Sequence, residues 1–368
     1  MKKFIALLLA MVCAVSLFAC GEKAPAADGG SSPATNAPDA GTAPQTGGEV
    51  NVYNWGEYID ESIFDDFEDE TGIRVNYSTF ESNESMYAAL KLGGTDYDVI
   101  IPSDYMVERL IAEGMLEKLD FANIPNLELL SPEYQTTTYD PNTEYSVPYM
   151  WGTVGIIYNS KYITDEITSW GAMFDEKYAG QILMFDNPRD AFGIALKYLG
   201  YSLNTTDETE IQAAFDLLVQ QKAIKQAYVM DTIFDKLEGE EAWIGAYYAG
   251  DYITMRENNP DLRFALPDEG ANVFSDAMCV PKGAKNKTNA ELFINFMSST
   301  ETAVRNMDMT GYVSANAEAA AEYALDYDEE DLEIQFPPED KLARCEPFAN
   351  LPQGTLTLYD TLWSQLKA

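Results

Sequence analysis

From Val50 to Glu113 short strand-like runs alternate with helix-patterned runs, and this order constrains the fold more than any other feature. Val50-Asn51-Val52-Tyr53 reads as a strand. Asp60 to Thr71 reads as a helix, with Ile63, Phe64 and Phe67 on one face and Gly72 as its stop signal. Ile73 to Tyr77 alternates like a strand, and Ser82 to Leu92 reads as a helix stopped by Gly93-Gly94. Tyr97 to Ile101 reads as a buried strand and Ser103 to Glu113 as a third helix. A β-α-β-α order implies an α/β fold with a mostly parallel sheet covered by helices. Such sheets bind ligands at the carboxyl ends of their strands. Three loops fall there: Asn54 to Tyr58, Thr79 to Glu84 and Pro102 to Tyr105. The style returns later. An aromatic run covers Tyr149 to Tyr158, Leu183-Met184-Phe185 precedes a helix through Leu199, Ala242 to Tyr248 leads into Ala249-Gly250-Asp251, and Phe274-Ser275-Asp276 opens a strand.

The N-terminus speaks of export. Lys2 and Lys3 precede an apolar run from Phe4 to Phe18, shorter than the roughly 20 residues that span a bilayer and fitting a secretory signal. Ala19-Cys20-Gly21 closes it in the pattern of a bacterial lipoprotein signal, with Cys20 as the lipidated residue, so residues 1–20 are expected to be a signal peptide. Residues 21–48 hold no Leu, Ile, Val or aromatic residue and cannot bury a core, so a disordered tether is expected. A flexible segment of roughly 28 residues reaches on the order of 30 Å. The expected location is the extracytoplasmic face of a bacterial membrane, held by lipid alone.

About 320 residues follow the tether, enough for two lobes. The chain has no histidine, which removes His-based metal sites and His-dependent catalytic triads and dyads. Beyond Cys13 and Cys20 only Cys279 and Cys345 remain; export permits a disulfide between them, and two free thiols are an equal alternative. Loss of Lys2 and Lys3 with the signal takes the net charge from −38 to −40. Nucleic acid and anionic lipid are poor partners for such a chain, and a cation is a good one.

The strand-end loops repeatedly join an aromatic residue to an acid. Trp55 precedes Glu57 and Tyr58, Tyr105 stands beside Asp104, Tyr248 precedes Asp251, and Phe274 precedes Asp276. Rings attract cations by about 0.5–2 kcal/mol per contact. Carboxylates accept strong charge-assisted hydrogen bonds from ammonium groups. An aromatic trough with acids at its ends is the chemistry that holds an alkyl diamine or triamine. With aromatic residues at 12%, a single such pair arises by chance; the shared position after strands lifts the set.

Several stretches carry a family likeness: Tyr53–Tyr58, Tyr77–Tyr87, Tyr97–Ser103, Ser146–Thr153, Leu199–Asp207, and Ala284–Lys287 through Ile294–Phe296. Through them the chain resembles the bacterial polyamine-binding proteins of ABC transporters, in their spermidine- and putrescine-preferring branches, from about Val50 to the C-terminus. The resemblance implies a two-lobed periplasmic-binding-protein fold of the Venus-flytrap type, each lobe a central mixed sheet flanked by helices. Residues 49–152 with 275–320 would form one lobe and 153–274 with 321–368 the other. Carried over by position, Trp55, Tyr58, Tyr105, Tyr248, Phe274 and Tyr312 would line the trough, Glu57, Asp190, Asp251 and Asp276 would accept the amines, and Ser103 would supply a hydroxyl. Asn187 and Asp190 depart from the acids of the spermidine branch, Tyr248 and Phe274 replace its tryptophans, and Phe348 falls near a glutamine, so ligand length stays open. The implied protein is a monomer without cofactor or metal that breaks no bond and hands a polyamine to permease subunits.

Four other readings remain at this point. Paired carboxylates and aromatic platforms also serve glycoside hydrolysis. Tyr247-Tyr248 resembles the adjacent tyrosines of ferric-ion-binding transport proteins. Neighbours on a regular strand point to opposite faces, which assigns Tyr247 to core packing. Another small organic cation is the third, and a purely sensory or adhesive lipoprotein without a transporter is the fourth.

Overall fold

The structure, a computed structural model, describes residues 47–94, 96–327 and 329–368. The expected signal, Cys20 and nearly all of the tether lie outside the described residues. Strands β1 (Gly48–Trp55), β2 (Ile73–Phe80) and β3 (Val99–Ile100) alternate with helices α1 (Ile63–Thr71), α2 (Asn83–Leu92) and α3 (Asp104–Ala112). Gly72 ends α1 with φ 72° and its N–H donating to Glu68 O, since a left-handed residue closes a helix most easily without a Cβ. Helix α1 starts three residues later than Asp60, because the Asp60 carboxylate instead accepts from the Ser62 N–H and from Arg305. Ser82 caps α2 by accepting from the Ser85 N–H at 3.1 Å.

The next strand, β4 (Ser146–Asn159), is the spine of the molecule. After it come β5 (Ile182–Phe185), α4 (Pro188–Tyr198), α5 (Glu208–Gln221), β6 (Lys225–Val229), α6 (Ile233–Glu238), β7 (Ile244–Tyr248) and α7 (Ala249–Asn258). Strands β8 (Leu262–Ala265) and β9 (Val273–Cys279), helices α8 (Lys287–Met297) and α9 (Thr300–Thr310), strand β10 (Val313–Ser314) and helix α10 (Ala317–Tyr323) follow. The strand order is β2-β1-β3-β9-β4-β7-β5-β6, with β8 and β10 also paired to β4. The flanks are parallel, β1 with β2 and β3, and β5 with β6 and β7. At the centre β9 and β4 run antiparallel to their neighbours. The sheet is therefore mixed rather than mostly parallel, because β9 returns late in the chain to complete the first half.

Strand β4 pairs with β9 up to Thr153 and with β7 from Val154 onward, so one continuous strand passes between two hydrophobic cores. The first core gathers Val50, Val52, Ile63, Phe67, Phe293 and Met307; the second gathers Ile156, Ile182, Phe185, Phe192, Ile244 and Tyr252. Each fully buried side chain of this size contributes about 1.5–3 kcal/mol. Helix α10 belongs to the first core through Ala319 and Tyr323, past the boundary expected at Ala320. Cys279 is buried and Cys345 half-buried, both as free thiols.

Candidate ligand-binding site

The carboxyl ends of the parallel strands converge on one cavity with about 730 Å³ of empty space, its mouth included. Trp55 ends β1, Ser103 directly precedes α3 and Tyr105 lies in its first turn. Asp190 lies in the first turn of α4, Tyr248 ends β7, and Asp251 lies in the first turn of α7. Phe274 and Asp276 sit two apart on β9 and so share a face. With Tyr58 and Tyr312 these ten residues all line the cavity.

Glu57 does not join them. It is exposed, with φ 48°, so the turn after β1 sends it outward while buried Tyr58 turns in. The cavity also takes Asp104, Asp231, Asn187, Phe348 and Tyr247, which pattern reading left out or left open. Asp231 follows the end of β6, a strand-end position that would have flagged it. Tyr247 corrects the alternation argument. Its ring packs in the second core, yet its hydroxyl donates to Asp231 Oδ1 at 3.1 Å and it lines the cavity. Both tyrosines lie within β7 in register with β4, yet their rings meet at 4.9 Å between centroids, so the pair does not divide cleanly between two faces.

The aromatic wall is continuous. Tyr58 meets Tyr312 edge-on at 4.9 Å between ring centroids, Tyr312 meets Phe274 at 6.0 Å, and Phe274 meets Tyr248 at 5.4 Å. Such edge-to-face pairs fix ring orientation. The Trp55 indole is held by donation from Nε1 to Ile101 O at 2.9 Å. Tyr105 Oη donates to Glu84 Oε1 at 3.0 Å, and its ring meets Phe348 at 5.9 Å.

Six acids line this wall (Glu81, Asp104, Asp190, Asp231, Asp251 and Asp276), and no Lys or Arg does. Burial pushes Asp276 up to about 6, against the pull of Ser103 and Tyr58. Burial pushes Asp190 up to about 7, helped by Glu84 and opposed by Arg189. Asp104 rises to about 8, again chiefly through burial. Asp251 is held well above the usual carboxylate range by burial, with Asp231 and Glu57 adding to it. Asp276 Oδ1 and Tyr58 Oη are buried, and neither makes a hydrogen bond of ordinary geometry. A buried unpaired acid is costly, and a cation placed among several of them relieves the cost at once. Among the described residues no group of three or more His, Cys, Asp or Glu side chains is placed to hold a metal ion.

Comparison with known proteins follows the same line. Residues 62–331 match the model of the family described as bacterial extracellular solute-binding protein. The spermidine/putrescine-binding periplasmic protein of Salmonella typhimurium is 35% identical over 86% of this chain and 90% of its own. A structure titled as a putative spermidine/putrescine ABC transporter from Listeria monocytogenes superposes with a TM-score of 0.82 at 38% identity, covering 87% of this chain and 98% of that one. A lipoprotein of Treponema pallidum does so with a TM-score of 0.77 at 27% identity, covering 86% and 99%. The strands that deliver the cavity and the relatives that share them agree: this chain belongs to the bacterial extracellular solute-binding proteins, a family of transport components rather than enzymes.

Proposed function

We propose that this protein captures linear polyamines, putrescine and/or spermidine, in the cavity between its lobes and delivers them to the permease of an ABC transporter. The observation that carries the reading is a set of buried carboxyls along an aromatic wall with no basic residue among the lining. A primary ammonium brings three donors and a full charge to such acids. Its methylene chain lies against rings that favour both apolar surface and nearby cations. The names of the relatives from Salmonella and Listeria support the same ligand class.

The reading includes place and form. A monomer held by lipid on Cys20 at the outer face of the membrane would present its cleft to solute and then to the permease, and the Treponema relative, described as a lipoprotein, supports the anchor. Cys20→Ala is expected to move the protein from the membrane fraction to the soluble one.

Calorimetry with putrescine, spermidine, spermine and cadaverine tests the ligand class. Saturable heat with at least one is expected, and silence with all four overturns the reading. Tyr247 and Tyr248 both line the cavity, which is the arrangement a ferric site would use. Burial holds both phenols well above their ordinary range, and ferric ligation needs the phenolate. A visible absorbance band on adding ferric ion would favour iron instead.

A further inference from the structure

We infer that Asp104 is a ligand-binding carboxyl in its own right, pairing with Asp276 to hold one terminal ammonium of a polyamine between them; this rests on the polyamine reading. The backbone places the two acids together. Ser103 lies in antiparallel register opposite Asp276, and the Ala277 N–H donates to Pro102 O at 3.0 Å. The Ser275 N–H donates to Asp104 Oδ2 at 3.4 Å, which draws the Asp104 carboxyl to the strand that carries Asp276. Both acids line the cavity and are more than nine-tenths buried, and Asp276 Oδ1 has no hydrogen-bond partner.

The surroundings of Asp104 leave its charge unmatched. From its own helix the Tyr105 N–H donates to Oδ1 at 2.7 Å. From β9 come the Ser275 N–H and the Asp276 carboxyl. From the segment before β4 comes Tyr139, whose hydroxyl meets Ser275 Oγ. From α4 comes Arg189, but its guanidinium donates to Ala349 O and Asn204 Oδ1 and sits over the rings of Tyr105 and Phe348. No ion pair joins Arg189 to Asp104 among the described residues. Two neighbouring buried carboxyls do not both ionise readily without a cation, so the ligand-free protein keeps a proton there. An arriving ammonium replaces that proton, which leaves to solvent. The pair therefore selects a terminal primary ammonium, whose three donors reach both acids and Ser103.

The test compares wild type with Asp104→Asn, which keeps an acceptor for the Tyr105 and Ser275 N–H groups and removes the charge. Putrescine binding is followed by calorimetry at pH 6, 7 and 8, in buffers of different ionisation enthalpy. Wild type is expected to release more protons than the variant. Its affinity advantage should grow from small at pH 6 to roughly tenfold or more at pH 8. Equal proton release, or an advantage that does not change with pH, overturns the inference, since a purely structural role would weaken binding equally at every pH. Asp104→Ser serves the same comparison if thermal melting shows that the asparagine variant does not fold. Wild type that binds none of the four amines overturns the polyamine reading itself, a different result from wild type that binds while the variant matches it.

Discussion

Gly250 lies against the ring of Tyr312: a Cβ on Gly250 would come within 2.5 Å of the ring's Cγ and Cδ2. Gly152 packs on the other side, where a Cβ would stand 3.3 Å from Tyr312 Cδ1 and 3.1 Å from Phe274 Cζ. Two glycines thus set where Tyr312 stands between Tyr58 and Phe274. Gly250→Ala should displace that ring while leaving α7 intact, since Ala favours a helix more than Gly does. Affinity for the preferred polyamine is expected to fall roughly tenfold, or about 1.4 kcal/mol, with the far-ultraviolet circular dichroism unchanged. Unchanged affinity would mean that Tyr312 is a packing residue and not part of the ligand wall.

Asp276 should matter in opposite senses to the empty and the filled protein. Its carboxyl is buried, with one oxygen unpartnered, and it is pushed up to about 6, so at pH 7.5 the empty fold carries a largely ionised and poorly satisfied acid. Asp276→Asn removes that burden and should raise the melting temperature of the ligand-free protein. The same change takes a charge from the ligand and should cost about 2–5 kcal/mol of binding, the range for truncating one partner of a buried charge pair. A variant that melts lower when empty, or binds as well as wild type, would contradict this account.

How much of this could be read from the sequence depends on range. Strand ends are local features, and the rule that ligands gather there led to Trp55, Tyr248 and Asp251, while Ser103 and Asp190 came from the family resemblance; all five are placed by short β-to-α turns. Phe274 and Asp276 needed only the two-residue period of a strand. Glu57 escaped because a single positive φ decides which way a turn residue points, and a Glu gives no sign of adopting one. Asp104 was visible only as the neighbour of Tyr105. Its significance comes from β9, a strand some 170 residues away that joins β3 and β4 in the sheet. The local β-α order alone pointed to a mostly parallel sheet, and only the family resemblance implied a mixed one, since the antiparallel return of β9 is a long-range pairing with no local signature.

The exposed acids should behave differently from the buried ones. Glu57 and Asp231 are exposed, while Asp190, Asp251 and Asp276 are buried. Exposed charges act through water and salt, over a Debye length of about 10 Å at 0.1 M ionic strength, and they steer encounter more than they hold the complex. Glu57→Gln and Asp231→Asn are each expected to lower affinity by less than roughly threefold, mostly through a slower association rate, with the effect fading as salt is raised. Stopped-flow association at two salt concentrations reads this directly. A large, salt-independent loss for Glu57→Gln would restore it to the ligand's first contacts.

The raised carboxyls also fix the sign of the pH dependence. Unfolded aspartates titrate near 3.9, whereas Asp276, Asp190 and Asp104 titrate at about 6, 7 and 8 in the fold. Between pH 5 and 8 the folded protein therefore holds protons that the unfolded chain has already released, so the ligand-free fold loses stability as pH rises. Acids with lowered values, such as Glu113 at about 2 beside Lys91, work in the opposite direction, but their contribution is complete by pH 5 and does not blur the window. A bound polyamine replaces the protons with its own charge and removes the dependence. The melting temperature of the empty protein should fall from pH 5 to pH 8, that of the saturated protein should stay flatter, and the gap between them should widen with pH. A gap that narrows toward pH 8 would mean that the ligand does not meet these acids.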